Sequence, residues 1–226
     1  MSVKPKKHLG QHFLKDENIA KKIADSLSEK GYDTVLEIGP GKGIITKLLS
    51  EKAQKVIAIE IDEKLVSELK EFLPDNVLLI SGDALKVDFD LLPKFNKIVS
   101  NLPFQISSLI TFKLLEYPFS KAVLIYQKDF ADRMIAHSGT KDYSRLSVGV
   151  YYKTHCRVLE IVLRNCFSPV PKVDSSIIEM IPRTKPPFNI IDELFFFDIV
   201  KQLFVHRRKK IKNSLEKRYN DLDGIP

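Results

Sequence analysis

Between residues 35 and 126 short apolar runs take turns with helical segments, and this alternation restricts the possible folds more than any other feature of the chain. Residues 35–38, 55–60, 77–81, 97–100 and 122–126 are short apolar runs and read as strands. Residues 44–52, 63–73, 107–115 and 129–136 read as helices, the second of them stopped by Pro74. Strands separated by helices run parallel through right-handed crossovers, which predicts an α/β fold with an open, mostly parallel sheet covered on both faces. An amphipathic helix over 16–30 precedes this unit, with Ile19, Ala20, Ile23, Ala24 and Leu27 on one face. After Tyr143 the rhythm changes, and 146–152, 158–163 and 175–181 read as strands forming an antiparallel edge. Residues 182–187 are a Pro-rich linker, and 192–204 and 207–219 read as two helices. The expected division is therefore a Rossmann-like unit over 1–182 and a short helical part over 183–226.

Composition removes several classes. With 44% hydrophobic and 29% charged residues, the 226-residue chain has the makeup of a folded globular protein and is too apolar for a disordered one. No apolar run approaches the roughly 20 residues that a membrane-spanning helix needs. The basic N-terminus lacks the apolar core of a secretory signal, so a cytoplasmic protein is expected. Cys156 and Cys166 match neither a disulfide framework nor a zinc or redox spacing, and are read as buried, reduced thiols. The 36 Lys and Arg exceed the 29 Asp and Glu, and the excess lies at the two ends, around Lys6 and Lys7 and at Arg207, Arg208, Lys209 and Lys210. Basic ends on a mildly acidic body suit a polyanion such as RNA, because clustered cations release counterions from a phosphate backbone; solvated helix faces would give the same pattern.

In an open parallel sheet ligands bind beyond the carboxyl ends of the strands, near the point where strand order reverses. The motif EIGPGKG, residues 37–43, follows the first strand and opens a helix, so Gly39 and Gly41 allow a sharp turn and a close approach of backbone to ligand. Its GxGxG spacing departs from the GxGxxG of a dinucleotide site. Glu60 ends the second strand, where a carboxylate can accept from both hydroxyls of a ribose, and Asp83 in SGDAL holds the same place after the third. Three such positions on consecutive strand ends point to an adenosine-containing cofactor. The fourth strand ends in SNLPF, residues 100–104. Asn101 and the Leu102 carbonyl can accept the two hydrogens of an exocyclic adenine amine and so free its delocalised lone pair for attack. Pro103 fixes the backbone after Leu102, and Phe104 offers a flat face for a base lifted from its stack.

With these motifs in place the chain resembles the small-subunit ribosomal RNA adenine dimethyltransferases, class I methyltransferases that use S-adenosylmethionine. The resemblance runs in order through KKHLGQHFL, VLEIGPGKGIIT, IEID, GDAL, NLPFQISS, YQKDFADR, FSPVPKVDSSI and FVHRRKKIKNSL. The wording GTKDYSRLSV is nearer the archaeal and eukaryotic branch. The resemblance implies that His12 and Leu14 close the cofactor pocket and that Gly39, Gly41, Glu60, Ile61, Asp83 and Ala84 hold the cofactor. It puts Asn101 between the two ligands and Phe167 opposite Phe104 as a second aromatic face for the target adenine. The activity implied is transfer of two methyl groups to N6 of each of two adjacent adenosines near the 3′ end of small-subunit rRNA in the pre-ribosomal subunit, by a monomer. No metal is expected, since a sulfonium methyl group needs no Lewis acid. Two features depart from the family: Phe104 stands where Tyr is usual, and the helical part after Pro182 is shortened. A large-subunit rRNA methyltransferase of the antibiotic-resistance type, a non-catalytic assembly factor that binds rRNA, and a NAD-dependent dehydrogenase remain as alternatives, the last without a role for NLPF.

Overall fold

The structure, a computed structural model, describes residues 4–6, 9–27 and 33–215. The chain enters through a two-residue strand, β1 (Phe13–Leu14), and helix α1 (Glu17–Leu27). The alternating unit follows as β2 (Thr34–Ile38), α2 (Ile44–Ser50), β3 (Lys55–Glu60), α3 (Glu63–Lys70), β4 (Val77–Ser81), β5 (Lys97–Asn101), α4 (Ser107–Leu114), β6 (Lys121–Gln127) and α5 (Lys128–Met134). Then come α6 (Arg145–Lys153), β7 (Thr154–Val162), β8 (Phe167–Ser168), β9 (Ser175–Pro182), α7 (Glu193–Val205) and α8 (Ile211–Leu215).

Seven strands form one sheet in the order β4-β3-β2-β5-β6-β9-β7. The first five are parallel, while β9 runs antiparallel to both β6 and β7. This is the Rossmann-like architecture expected from the sequence, a mostly parallel sheet with an antiparallel edge. The two-residue period of a strand distributes the core. Leu36, Ile57, Ile98, Leu124 and Ile178 face one side, with Ile110 and Leu114 of α4, Phe130 of α5 and Val150 of α6. Their neighbours Val35, Val56, Val99, Val123 and Ile177 face the other, with Ile23 and Leu27 of α1 and Leu49 of α2. Burial on both faces is why these strands read as continuous apolar runs.

Three expectations need correction. Residues 146–152 are not a strand but most of α6. The Ser147 hydroxyl accepts the Ser144 N–H at 3.0 Å and donates to the Arg133 carbonyl at 2.6 Å, fixing the helix start. Leu146, Ser147, Gly149 and Val150 then share the buried side, where Gly149 lets the Phe112 ring approach so closely that a Cβ would stand 2.9 Å from it. The second correction concerns the C-terminal helix: residues 207–209 form a turn after α7, and α8 begins only at Ile211. Residues 216–226 lie outside the described part. The two cysteines are free, as expected, but half-buried rather than buried.

The segment carrying α7 docks on α6 through aromatic packing, with Tyr152 5.3 Å from Phe188 and 5.7 Å from Phe197, and through Glu193, which accepts from the Tyr152 hydroxyl and pairs with Lys153. No described helix is long and apolar enough to cross a membrane.

Candidate active site

Strand order reverses between β2 and β5, whose register pairs Ile38 with Ser100. Gly39 and Asn101, the residues just beyond that pair, therefore emerge side by side at the carboxyl ends of the two strands. A cavity of about 270 Å³ opens there, close to the lower end of small-molecule pockets, roughly 300–1,000 Å³. Its walls include Gly39, Gly41, Glu60, Ile61, Asp83, Ala84, Asn101, Leu102, Pro103 and Phe104, and its roof is the N-terminal segment from Leu9 to Leu14.

The glycine turn works by positive φ angles that other residues rarely adopt. Gly39 lies at +67° and Gly41 at +58°, and a Cβ on Gly41 would stand 3.0 Å from the Phe13 ring. Glu60, 4% exposed, accepts from the Gly41 N–H at 3.1 Å and the Asp62 N–H at 2.9 Å. Burial raises its pKa despite those hydrogen bonds. Glu37, in the glycine motif itself, is more extreme. The residue is 2% exposed, one carboxyl oxygen has no hydrogen-bond partner, and burial, with Glu60 adding repulsion, pushes its pKa up to about 8. Asp83 accepts the Leu85 N–H at 2.9 Å and shapes the next loop.

The roof is held from two sides. On one, Asp62 takes the Lys6 ammonium at 2.8 Å and the Gln11 amide at 3.2 Å, and Gln11 in turn accepts the Lys6 N–H at 2.7 Å. Burial would raise the Asp62 carboxyl, but the hydrogen bonds from Lys6, Gln11 and the Lys64 N–H hold it below its ordinary value. On the other side β1 pairs antiparallel with β8, and His12 Nδ1 donates to the Pro169 carbonyl at 2.7 Å. That bond fixes the proton on Nδ1. The His12 ring stacks on Phe104 at 5.4 Å and 28°, and the His12 carbonyl accepts from the Asn101 amide nitrogen at 2.8 Å. A carbonyl can only accept, so the Asn101 nitrogen is committed and its oxygen remains as an acceptor.

The structure thus gathers His12, Leu14, Gly39, Gly41, Glu60, Ile61, Asp83, Ala84 and the Asn101–Phe104 turn around one cavity. It does not bring Phe167 there with an open face. Phe167 is fully buried, opposite Leu14 in the short ladder and packed in the core around α1, so its ring offers no surface to a base. The aromatic ring beside Phe104 is that of His12. Lys6 is also reassigned: its ammonium is engaged by Asp62 rather than left for phosphate. Lys7 lies outside the described residues. Arg207, Arg208, Lys209 and Lys210 are exposed in the turn between α7 and α8, where Arg207 donates to the Thr140 and Lys141 carbonyls. Sequence reasoning missed Gln11, Phe13, Glu37 and Asp62. Only Asp62 left a usable signal, as an N-cap candidate before α3, whose Lys64 N–H it does accept at 3.1 Å.

The donor set suits an adenosine cofactor of S-adenosylmethionine type: strand-end carboxylates for hydroxyl and amine hydrogens, glycines for close approach and a largely apolar enclosure. Comparison with known proteins points the same way. Residues 2–222 match the family model described as "Ribosomal RNA adenine dimethylase". A Methanosarcina acetivorans protein named "Probable ribosomal RNA small subunit methyltransferase A" is 47% identical over 207 residues, covering 91% of this chain and 76% of that one. A Methanococcus aeolicus protein of the same name is 49% identical over 211 residues, 92% of this chain and 78% of that one. Among solved structures, a dimethyladenosine transferase from Plasmodium falciparum superposes with a TM-score of 0.80 at 37% identity, over 92% of this chain and 76% of that one. The 23S rRNA methyltransferase ErmE gives 0.69 at 29% identity, over 92% and 84%.

Proposed function

The chain belongs to the ribosomal RNA adenine dimethylase family, and from that premise we propose that it transfers methyl groups from S-adenosylmethionine to N6 of two adjacent adenosines near the 3′ end of small-subunit rRNA. The observation that carries this reading is the meeting of the glycine turn and the Asn101–Phe104 turn at one crevice. When bound, S-adenosylmethionine supplies an electrophilic methyl group on a sulfonium. Gly39 and Gly41 admit it to the backbone, Glu60 accepts from its ribose, and Asp83, beside Ala84, accepts from its adenine. His12, Leu14 and Ile61 close the pocket.

For the target base the Asn101 oxygen and the Leu102 carbonyl accept the two N6 hydrogens, which favours a tetrahedral nitrogen with a free lone pair. Phe104 stacks on the flipped ring through the face that His12, stacked on its other side, leaves open. Loss of the tyrosine hydroxyl usual at position 104 leaves the stacking surface intact. The exposed cations 207–210 contact RNA phosphates. In this reading residues 1–182 are the methyltransferase unit and 183–226 a helical appendage, and the protein acts as a cytoplasmic monomer on the pre-ribosomal small subunit.

Transfer of labelled methyl groups from S-adenosylmethionine to undermethylated small and large ribosomal subunits, with the modified nucleoside identified by mass spectrometry, tests this. Dimethyladenosine in the small subunit alone is the expected outcome. Label in the large subunit would move the assignment toward the activity named for ErmE. Cofactor binding without transfer to either subunit would favour an assembly factor.

A further inference from the structure

Helix α4 begins directly after the Asn101–Phe104 turn and ends beside the loop that follows β4. Near its end stands Lys113, which the proposed function leaves without a task. Its ammonium donates to the carbonyls of Ala84 at 2.9 Å, Leu85 at 3.2 Å and Val87 at 2.5 Å, and lies 4.2 Å from the centre of the Phe89 ring. An ammonium has three hydrogens, so its donor capacity is filled by one loop. Among the described residues it forms no ion pair, although Asp83, Asp88 and Glu116 contribute to its field. A charged group held half-buried on backbone carbonyls costs desolvation, here compensated by three convergent acceptors and an aromatic face.

The same loop is tied internally through Asp83, whose carboxylate accepts the Leu85 N–H and whose carbonyl accepts the N–H groups of Lys86 and Val87. Those bonds wind the loop, the Gly82 N–H ties its start to the Glu60 carbonyl at 2.8 Å, and Ala84 and Phe89 pack in the core. Lys113 supplies a further attachment, to the helix that issues from the base-binding turn. We infer that Lys113 is a positioning residue of the cofactor site, fixing the Asp83–Ala84 rim that receives the adenine and joining it through α4 to the turn that receives the target base. This rests on the placement of the cofactor adenine at Asp83.

Calorimetric titration with S-adenosylhomocysteine tests the inference, using the full chain and its Lys113→Met, Lys113→Arg and Asp83→Ala variants. Lys113→Met should raise the Kd about 10- to 100-fold, the scale for losing hydrogen bonds from a charged donor, and Lys113→Arg should recover most of the affinity. If Lys113→Met does not fold, Lys113→Gln, which keeps two donors but no charge, takes its place with a smaller expected rise in Kd, about 5- to 10-fold. A Kd within about threefold of the parent, while Asp83→Ala binds at least about tenfold more weakly, would overturn the role of Lys113 alone. A parent-like Kd in Asp83→Ala would instead remove the adenine placement and this inference with it. A loss in Lys113→Met that arginine does not recover would assign the effect to packing on Phe89 and also overturn it.

Discussion

Asn101 commits its amide nitrogen to the His12 carbonyl, so the acceptor facing the substrate is set before any ligand arrives. Asn101→Ala should therefore lower turnover by about 10²- to 10³-fold, the scale for removing one pre-positioned polar group, with a smaller loss of cofactor affinity. Steady-state methyl transfer and cofactor titration measure the two effects, and unchanged turnover would take Asn101 out of the reaction. Glu37 gives a second expectation. Its folded carboxyl titrates at about 8 against an ordinary 4.5, so between those values the folded state keeps a proton that the unfolded chain has released. Stability from this group is full below the lower value, falls as pH rises toward the upper one, and changes no further beyond it. Glu37→Gln is neutral throughout, so its melting temperature should gain on the parent steadily from about pH 5 to about pH 8. A constant gap would mean that Glu37 is ionised in the fold. The residues that sequence reading identified, Gly39, Glu60, Asp83 and Asn101, sit inside motifs next to strand ends. Gln11 escaped because its role depends on Asp62, 51 positions away, a partner that no local pattern announces.

At the scale of elements, the strands buried on both faces were legible almost to the residue, as β3 (Lys55–Glu60) and β5 (Lys97–Asn101) show. Helix α6 was not, because LSVGVYY is rich in β-branched and aromatic residues and its buried side is created by Phe112 and the Arg133 carbonyl. The β1–β8 ladder was equally hidden: two pairs of residues separated by most of the chain leave no periodicity to read. The turn from β2 into α2 offers a test of how firmly an element boundary is set. Gly43 has φ +77°, and a Cβ there would stand 2.8 Å from Leu69. Gly43→Ala should destabilise the protein by about 1–3 kcal/mol, from backbone strain together with the clash. An unchanged denaturation midpoint would show that the turn relaxes freely.

For the whole molecule, the two basic ends read from the sequence differ in their surroundings. Lys6 at the N-terminal end is bound into the roof of the cavity, whereas the cations at 207–210 stand exposed beyond α7. RNA affinity should accordingly draw on the second cluster. Replacing Arg207, Arg208, Lys209 and Lys210 by Gln should flatten the dependence of log K on log salt by roughly 0.7 to 0.9 for each phosphate no longer neutralised, and leave cofactor binding unchanged. Filter binding across a salt series measures that slope, and an unaltered slope would reduce the cluster to a solvated turn. The roof itself has a consequence in time. His12 and the Pro169 carbonyl that holds it are 157 positions apart, and Leu14 is paired with Phe167. In a growing chain the roof is made long before its far partners, and the His12 and β1 contacts form only once those partners have been synthesised. The roof is thereby closed over the cavity only after most of the sheet has been made.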